Sequence, residues 1–264
     1  MTIRAVTFIA GVAIAVVMPV AAYAAVLDLA TSSDNVSPDT TSGTIGGAIF
    51  EWTTAQPTGT GVIDTFVQVQ AQGNETFEQG YNTTVNNVFD NGSSDIHNHA
   101  LLLTDIPIVN ISGVDYRQFL LDINESLGQD GELLSLMEIQ VLQSDTANPN
   151  VTTFSGGVLE IPAHAFVYRL DDGVDNTIEL NAALGSGSGS GDMFFYVRDD
   201  LFAPDFDYVY LYSEFGRPNG ASAGFEEWAV IRGGDQEIIP EPATLSLLGL
   251  GLAAMVGRRL RKRA

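Results

Sequence analysis

Short apolar runs separated by turn-forming residues constrain the fold more than any other feature of this chain. The runs are rich in β-branched and aromatic side chains, and Gly, Asn, Asp and Pro lie between them. In one run, 62–70, Phe66, Val67 and Val69 interleave with Gln68 and Gln70, and this alternation is typical of a half-buried strand. We predict ten or eleven strands, at 48–52, 62–70, 100–103, 106–111, 116–123, 133–142, 165–170, 177–180, 193–197, 208–212 and 228–231.

This strand pattern predicts a mainly β fold. No stretch keeps a 3.6-residue apolar period with caps, so we expect no long helices, although the run at 133–142 is also compatible with an initial helical turn. Many short strands with turns between them favour a single antiparallel β-sandwich or jelly-roll-like domain at 45–237. A division into two domains, with 145–157 as a linker, stays open. The Ser/Thr/Asp-rich segment 25–44 is predicted to be a flexible lead-in.

The amino terminus, residues 1–24, has the three parts of a secretory signal peptide. Arg4 supplies a positive charge, an apolar run follows it, and Ala22 and Ala24 place small side chains at the −3 and −1 positions that signal peptidase requires. We therefore predict cleavage before Ala25 and export of the remaining chain. Zero cysteines exclude disulfide scaffolds and thiol chemistry.

The carboxyl terminus, residues 238–264, combines three elements in order. Pro240, Glu241 and Pro242 are followed by an uncharged run at 243–256 that is dominated by Leu, Gly and Ala. A helix over that run spans only about 21 Å, whereas the hydrocarbon core of a bilayer is about 30 Å thick. A basic cluster that would remain in the cytoplasm ends the chain, formed by Arg258, Arg259, Arg261, Lys262 and Arg263. A short span of this kind suits a transient processing signal better than a permanent anchor.

The tripeptide, the Leu- and Gly-rich segment and the Arg-rich terminus resemble the PEP-CTERM sorting signal of exported bacterial proteins. (The same kind of tail is also called an ice-binding-protein C-terminal domain, a name that implies no ice binding.) The resemblance implies recognition in the inner membrane by an exosortase and delivery to the cell envelope or extracellular matrix. Segments 119–125, 189–194 and 224–228 are similar to a recurrent ectodomain found with such tails, and this similarity implies no activity.

The predicted exported part, 25–237, is strongly acidic. Without Arg4, Glu241 and the five basic residues of the tail, it has 32 acidic side chains against five arginines and no lysine, a net charge of −27. Such a surface argues against a nucleic-acid partner and attracts cations. Calcium binding and adaptation to salty water are both consistent with this charge.

Three acidic loops are candidate Ca²⁺ sites, because hard cations prefer several oxygen ligands. None of them fits the EF-hand pattern, and Asp and Asn also favour turns through local hydrogen bonds, so a plain turn is the alternative in each case. The candidate ligands are Asp122, Asn124 and Glu125 in the first loop, Asp171, Asp172 and Asp175 in the second, and Asp199, Asp200, Asp205 and Asp207 in the third.

A different metal site is suggested by Asp95, His97 and His99. On a strand, alternate side chains share a face, so two imidazoles and a carboxylate would point the same way. The alternative interpretation is a polar strand edge that leads into the apolar run at 100–103.

The sequence contains no Gly-x-Ser-x-Gly nucleophile motif, and we expect no enzymatic activity. The function we expect is a structural or binding role linked to exopolysaccharide or biofilm. One alternative is a calcium-assisted carbohydrate-binding module that uses exposed aromatic side chains, the candidates being Trp52, Trp228 and the Tyr208, Tyr210 and Tyr212 stripe. A second alternative is a secreted hydrolase that uses a carboxylate pair in a deep cleft.

Overall fold

A computed structural model describes residues 24–54, 63–72, 75–92, 96–125, 132–184, 191–221 and 224–231. Over these ranges the chain is almost entirely strands and connecting loops, with three short 3₁₀ helices at Leu103–Asp105, Ala182–Leu184 and Asp199–Leu201. The strands are β1 (Val26–Asp28), β2 (Ser42–Ile45), β3 (Ala48–Trp52), β4 (Ile63–Val69), β5 (Glu78–Tyr81), β6 (Leu101–Leu102), β7 (Ile108–Ile111), β8 (Val114–Asp122), β9 (Leu133–Ser144), β10 (Phe154–Ser155), β11 (Val158–Leu159), β12 (His164–Arg169), β13 (Thr177–Asn181), β14 (Met193–Arg198), β15 (Tyr208–Phe215) and β16 (Glu226–Ile231).

Most strands form two seven-stranded sheets. Sheet I has the order β1-β13-β9-β15-β5, with β12 also paired to β9 and β6 to β15; sheet II has the order β2-β3-β14-β8-β16-β4, with β7 paired to β8. A separate two-stranded ribbon joins β10 and β11. Each large sheet draws strands from both sides of 145–157, the segment considered above as a linker.

The two sheets pack face to face around one apolar core. Phe50, Phe119 and Phe195 of sheet II form a stack, with ring centroids 4.9 Å apart for Phe50 and Phe195 and 5.6 Å for Phe119 and Phe195. Leu136 and Leu211 of sheet I belong to the same buried cluster. The mainly β, antiparallel sandwich predicted from the sequence is therefore confirmed.

All eleven predicted runs contain strands, and the five strands that the pattern missed are short or polar. They are β1, β2, β5, β10 and β11. β1 and β2 lie in the segment 25–44 and pair with β13 and β3. The expectation of a flexible lead-in is wrong there, because backbone pairing with long strands orders a segment that has little apolar patterning of its own. The β1–β13 pairing is also parallel, an exception to the antiparallel expectation.

The outer face of sheet I is covered rather than exposed. Tyr81, Tyr210 and Tyr212 are fully buried in a second cluster, together with Val88 from a turn and Leu159 from β11. β9 is consequently buried on both faces along much of its length. The sequence pattern does not show whether this face is exposed, and in the structure a turn and the β10–β11 ribbon cover it.

The described part of the chain contains no helix of the length and hydropathy needed to span a bilayer. The predicted tail helix at 243–256 lies outside the described residues, as does Ala22 of the predicted cleavage site. Ala25 lies at the start of sheet I, where its backbone N–H donates to Asn176 Oδ1 over 2.9 Å and its carbonyl accepts from Thr177 N–H over 2.9 Å.

Candidate functional site

Three buried glutamates from different strands and loops interact electrostatically, and we call them the glutamate cluster. Glu78 comes from β5 of sheet I, Glu226 from β16 of sheet II, and Glu125 from the segment after β8. Glu78 and Glu226 are fully buried, and Glu125 is 5% exposed. Carboxyl groups are rarely buried without compensation, because removal from water disfavours their charged form by several kcal/mol.

The backbone around the cluster explains how the strands place it. Glu78 opens β5, in register with Phe215 of β15, and its Oε2 accepts a 2.6 Å hydrogen bond from the Ala71 N–H. On the other side, Gly224 precedes β16 and packs against the Asn124 backbone so closely that a Cβ there would lie 1.5 Å from the Asn124 carbonyl oxygen. This close crossing brings Glu226 to the end of β8.

Hydrogen bonding within the cluster is incomplete. Among the described residues, both carboxyl oxygens of Glu226 and Oε1 of Glu78 lack a well-formed hydrogen bond, although the Asn124 backbone N–H lies close enough to Glu226 to oppose the rise in its pKa. The Glu78 and Glu226 carboxyls instead interact directly with each other. Two ionised carboxylates in such contact repel, so the arrangement requires a proton or a cation.

Electrostatics push both carboxyls toward the neutral form. Burial raises the pKa of Glu226 well above its ordinary value of 4.5, and the adjacent carboxyl of Glu78 raises it further. Burial likewise raises the pKa of Glu78, while Glu226 and the Ala71 amide oppose that rise. The charge on Glu125 acts on both groups in the raising direction.

A fourth buried acid, Asp192, lies just before β14 and contacts the backbone of the segment 122–125. Its Oδ2 accepts a 2.8 Å hydrogen bond from the Ile123 N–H, and only 4% of the residue is exposed. Burial raises the pKa of Asp192 to about 8, against an ordinary value of 3.8, and the charge of Asp122 adds to the rise. The segment 122–125 is therefore hydrogen-bonded to Asp192 through Ile123 and interacts with Glu78 and Glu226 through Glu125.

The first predicted calcium loop is thus divided by the fold. Asp122 is partly buried at the end of β8, opposite Glu227 in the strand register, and Asn124 is exposed. Glu125 turns inward, toward Glu78 and Glu226. The sequence alone does not identify Glu78 and Glu226 as partners, because each lies in a polar segment whose composition is typical of a solvent-exposed strand edge.

The second predicted loop forms a hydrogen-bonded turn. The Asn176 N–H donates to Asp171 Oδ1 over 2.7 Å, and the Gly173 N–H donates to the Asp171 carbonyl over 2.9 Å. Asp172 and Asp175 are exposed. Burial raises the pKa of Asp171 to about 6, although the Asn176 amide opposes the rise. These contacts match the turn alternative, and calcium binding by the loop stays a prediction.

The His-containing segment is not the strand on which its metal-binding interpretation depended. Residues 96–98 form a turn, and Asp95 lies outside the described residues. His99 directs Nε2 toward Asp64 Oδ1 at 3.6 Å, and its Nδ1 lies 3.1 Å from the Ala100 carbonyl oxygen. Within the described ranges, no group of three His, Cys, Asp or Glu side chains is arranged to hold a metal ion as it stands.

The aromatic residues proposed for sugar stacking mostly belong to the interior. Trp228 is fully buried, and its indole N–H donates to Ser213 Oγ over 3.0 Å. Tyr210 and Tyr212 are buried with their hydroxyls bonded to the Thr146 carbonyl at 2.5 Å and to Gln79 Oε1 at 2.7 Å. A stacking platform built on these three residues is therefore wrong, because their rings have no free face.

An open pocket of about 530 Å³ lies on the surface beside the β10–β11 ribbon. Its lining is mostly apolar, with Glu160 and His164 as its titratable groups. Phe166, on β12, is 47% exposed there. The pocket lies apart from the glutamate cluster, whose members do not line it.

Comparison with known families assigns the carboxyl terminus. A family model described as the PEP-CTERM protein-sorting motif matches residues 239–262. The chain carries a PEP-CTERM sorting signal. The match includes Pro240, Glu241 and Pro242 and all the predicted basic tail residues except Arg263, and it lies outside the described residues. No curated protein and no solved structure matches the chain.

The sorting signal has specific consequences for the route that this protein takes. It is an exported protein that an exosortase targets, and it is anchored in the membrane before processing. The motif covers about a tenth of the chain, so it describes how the protein is routed and not what the β-sandwich binds or does.

Proposed function

We propose that the protein is a noncatalytic component of the cell envelope or extracellular matrix, released from the membrane by an exosortase and linked there to extracellular polysaccharide. The sorting signal is the observation that carries this proposal, because it routes the chain through the inner membrane toward the cell surface. A disulfide-free sandwich with a large acidic excess suits a soluble extracellular module.

The burial of the acidic groups supports a noncatalytic role. The paired carboxyls of Glu78 and Glu226 have the raised pKa values expected of a catalytic acid, yet both side chains are fully buried. The two carboxyl groups of a glycosidase lie on either side of the scissile sugar bond, about 5 to 9.5 Å apart, and inverting enzymes also place a water molecule there. The direct contact between Glu78 and Glu226 leaves no space for either the sugar or the water.

Localisation tests the sorting part of this proposal. In a host with its own exosortase, the intact chain should be shortened at its carboxyl end and recovered in the envelope or matrix fraction. A chain truncated before Pro240, and the intact chain in an exosortase-deficient host, should both fail to reach that fraction. Unchanged delivery of the truncated chain would refute the role assigned to the tail.

Polymer binding tests the matrix role separately. The processed protein should cosediment with extracellular polysaccharide from the same cells and release no new reducing ends from it. Absence of cosedimentation would reject polysaccharide as the partner. Polymer cleavage that disappears in Glu226→Gln would instead support the hydrolase alternative.

A further inference from the structure

We propose that the open pocket beside the β10–β11 ribbon binds a sugar unit of an uncharged polysaccharide, with the Phe166 ring as the surface on which the sugar stacks. This inference rests on the proposed polysaccharide partner and gives that partner a site and a chemical class. The pocket has a volume of about 530 Å³, which falls within the range of about 300–1,000 Å³ typical of small-molecule sites in proteins.

Hydrogen bonds to sheet I hold the ribbon wall of the pocket in place. The side chain of Gln140, on β9, donates to the Gly157 carbonyl over 2.7 Å and accepts from the Leu159 N–H over 2.9 Å. Leu159 is fully buried, in the same cluster as Tyr210 and Tyr212. The ribbon is thereby fixed against the sheet. A ligand does not have to order this wall when it binds, and such preorganisation favours affinity.

The other wall of the pocket belongs to β12. His164 and Phe166 are two residues apart on this strand and therefore share a face, and both line the pocket. Phe166 is 47% exposed, so its side chain is still open to a ligand. When the C–H face of a sugar ring stacks on an aromatic ring, the apolar surface of both is removed from water, which favours binding.

The polar groups of the pocket are mainly hydrogen-bond acceptors. Glu160 carries a carboxylate, and the His164 ring directs Nδ1 to the Ile161 carbonyl, which leaves Nε2 as an acceptor in the neutral ring. Ser155 adds a hydroxyl that both donates and accepts. Glu160, His164 and Ser155 are all exposed. This set pairs with the hydroxyl groups of a sugar, which donate, and is poorly suited to phosphate or carboxylate groups, which only accept.

The charge of the protein selects against acidic polymers. The described residues that line the pocket include no lysine or arginine. The predicted exported part has 32 acidic side chains against five arginines, a net charge of −27. A polysaccharide with carboxylate or sulfate groups is repelled by this field and finds no cation in the pocket. An uncharged polysaccharide avoids the repulsion and keeps the hydroxyl donors that the pocket requires.

Cosedimentation of the full chain, kept in mild detergent, with extracellular polysaccharide from the same cells tests the site. Anion exchange first separates that polysaccharide into an uncharged and an acidic fraction, and the protein should bind the uncharged one. Phe166→Ala should weaken this binding by about tenfold, the loss expected when one aromatic side chain is no longer covered. Glu160→Ala removes an acceptor and should weaken binding to a smaller extent.

A matched control lies on the 3₁₀ helix Asp199–Leu201. Leu201 is 48% exposed, close to the value for Phe166, and does not line the pocket. Leu201→Ala should therefore leave binding unchanged. The Tm of all three variants should stay close to that of the unaltered protein, because the altered side chains are exposed.

The possible results separate the pocket from the partner. Binding that neither Phe166→Ala nor Glu160→Ala weakens would overturn the pocket assignment and leave the polysaccharide role in place. Binding to the acidic fraction alone would overturn the class of ligand. If the unaltered protein binds neither fraction, the polysaccharide partner is itself rejected, and this inference with it.

Nuclear magnetic resonance locates the ligand without any variant. Oligosaccharides prepared by partial hydrolysis of the uncharged fraction should shift the methyl signals of Val158, Leu159 and Ile161 in a saturable way, because these side chains line the pocket. The methyl signals of Val26 and Leu201, which are exposed outside the pocket, should stay unchanged. No shift, or saturable shifts only away from the pocket, would overturn the proposal.

Discussion

Replacing Asp192 with asparagine should stabilise the protein at neutral pH. The Asp192 carboxyl lies just before β14 and is buried. It accepts a hydrogen bond from the N–H of Ile123, in the segment that follows β8. Burial raises its pKa to about 8, whereas 3.8 is the ordinary value expected in the unfolded chain. Folding at pH 7 therefore requires this carboxyl to take up a proton, which lowers the free energy of unfolding.

The size of the effect follows from the two pKa values. The contribution of Asp192 to stability is fully present below pH 3.8, falls as the pH rises from 3.8 to about 8, and is constant above that. At about 1.4 kcal/mol for each pH unit, the penalty at pH 7 approaches about 4 kcal/mol. Asparagine keeps an oxygen for the Ile123 N–H but buries an extra N–H, so we expect a net gain of about 2 kcal/mol, or about 4–8 °C in Tm.

Guanidinium and thermal unfolding at pH 4, 5.5, 7 and 8.5 in EDTA measure this effect. Asp192→Asn should be less stable than the unaltered protein by about 2 kcal/mol at pH 4, equal it near pH 5.5 and exceed it increasingly toward pH 8.5. Asp205→Asn removes a carboxylate from an exposed residue and should follow the unaltered protein throughout. Parallel stability curves for Asp192→Asn and the unaltered protein would refute the reasoning, because they would mean that this carboxyl is ionised in the folded state.

Three further substitutions test the packing and the ion pairs. Gly224→Ala should destabilise the protein by more than about 3 kcal/mol or prevent folding, because its Cβ would overlap the Asn124 carbonyl; a normal Tm would show that the crossing is loose. Trp228→Ala should lower the free energy of unfolding by about 3–5 kcal/mol in denaturant melts, and a loss below about 1 kcal/mol would contradict its place in the core. Arg169→Met removes the 2.6 Å ion pair to buried Glu138 and should cost about 3 kcal/mol at pH 7. Because burial raises the pKa of Glu138, that loss should shrink as the pH falls toward 4 and should be reduced by adding Glu138→Gln, whereas a pH-independent loss would rule out an electrostatic origin.

Local patterning was sufficient for the strands with apolar alternation and insufficient for the polar ones. The predicted runs 177–180 and 193–197 correspond to β13 and β14, each of which is one residue longer. β5, with the sequence Glu-Gln-Gly-Tyr, has no alternating apolar residues, yet it pairs with β15 and buries Glu78. Its strand character comes from the partner strand, and a single sequence does not indicate which segment will pair with it.

The candidate site, like the strands, was predicted only in part from the sequence. Acidic composition predicted cation binding and singled out Glu125, but it grouped that residue with its sequence neighbours Asp122 and Asn124. The fold turns Glu125 inward, leaves Asn124 exposed and brings in Glu78 and Glu226 from two other strands. Sequence proximity is a poor guide to such a cluster, because adjacent residues on an extended chain point in opposite directions.

The amino-acid sequence was enough to predict the export route and the β class of this protein. A sorting signal acts as a short linear segment, and strand formation responds to the side chains of a few consecutive residues, so both can be read locally. Burial of the glutamate cluster depends on tertiary structure, because it arises only when sheet I and sheet II close over Glu78 and Glu226. Pairing between strands far apart in the chain decides which carboxyl groups lose water, and that loss raises the pKa values of Glu78 and Glu226.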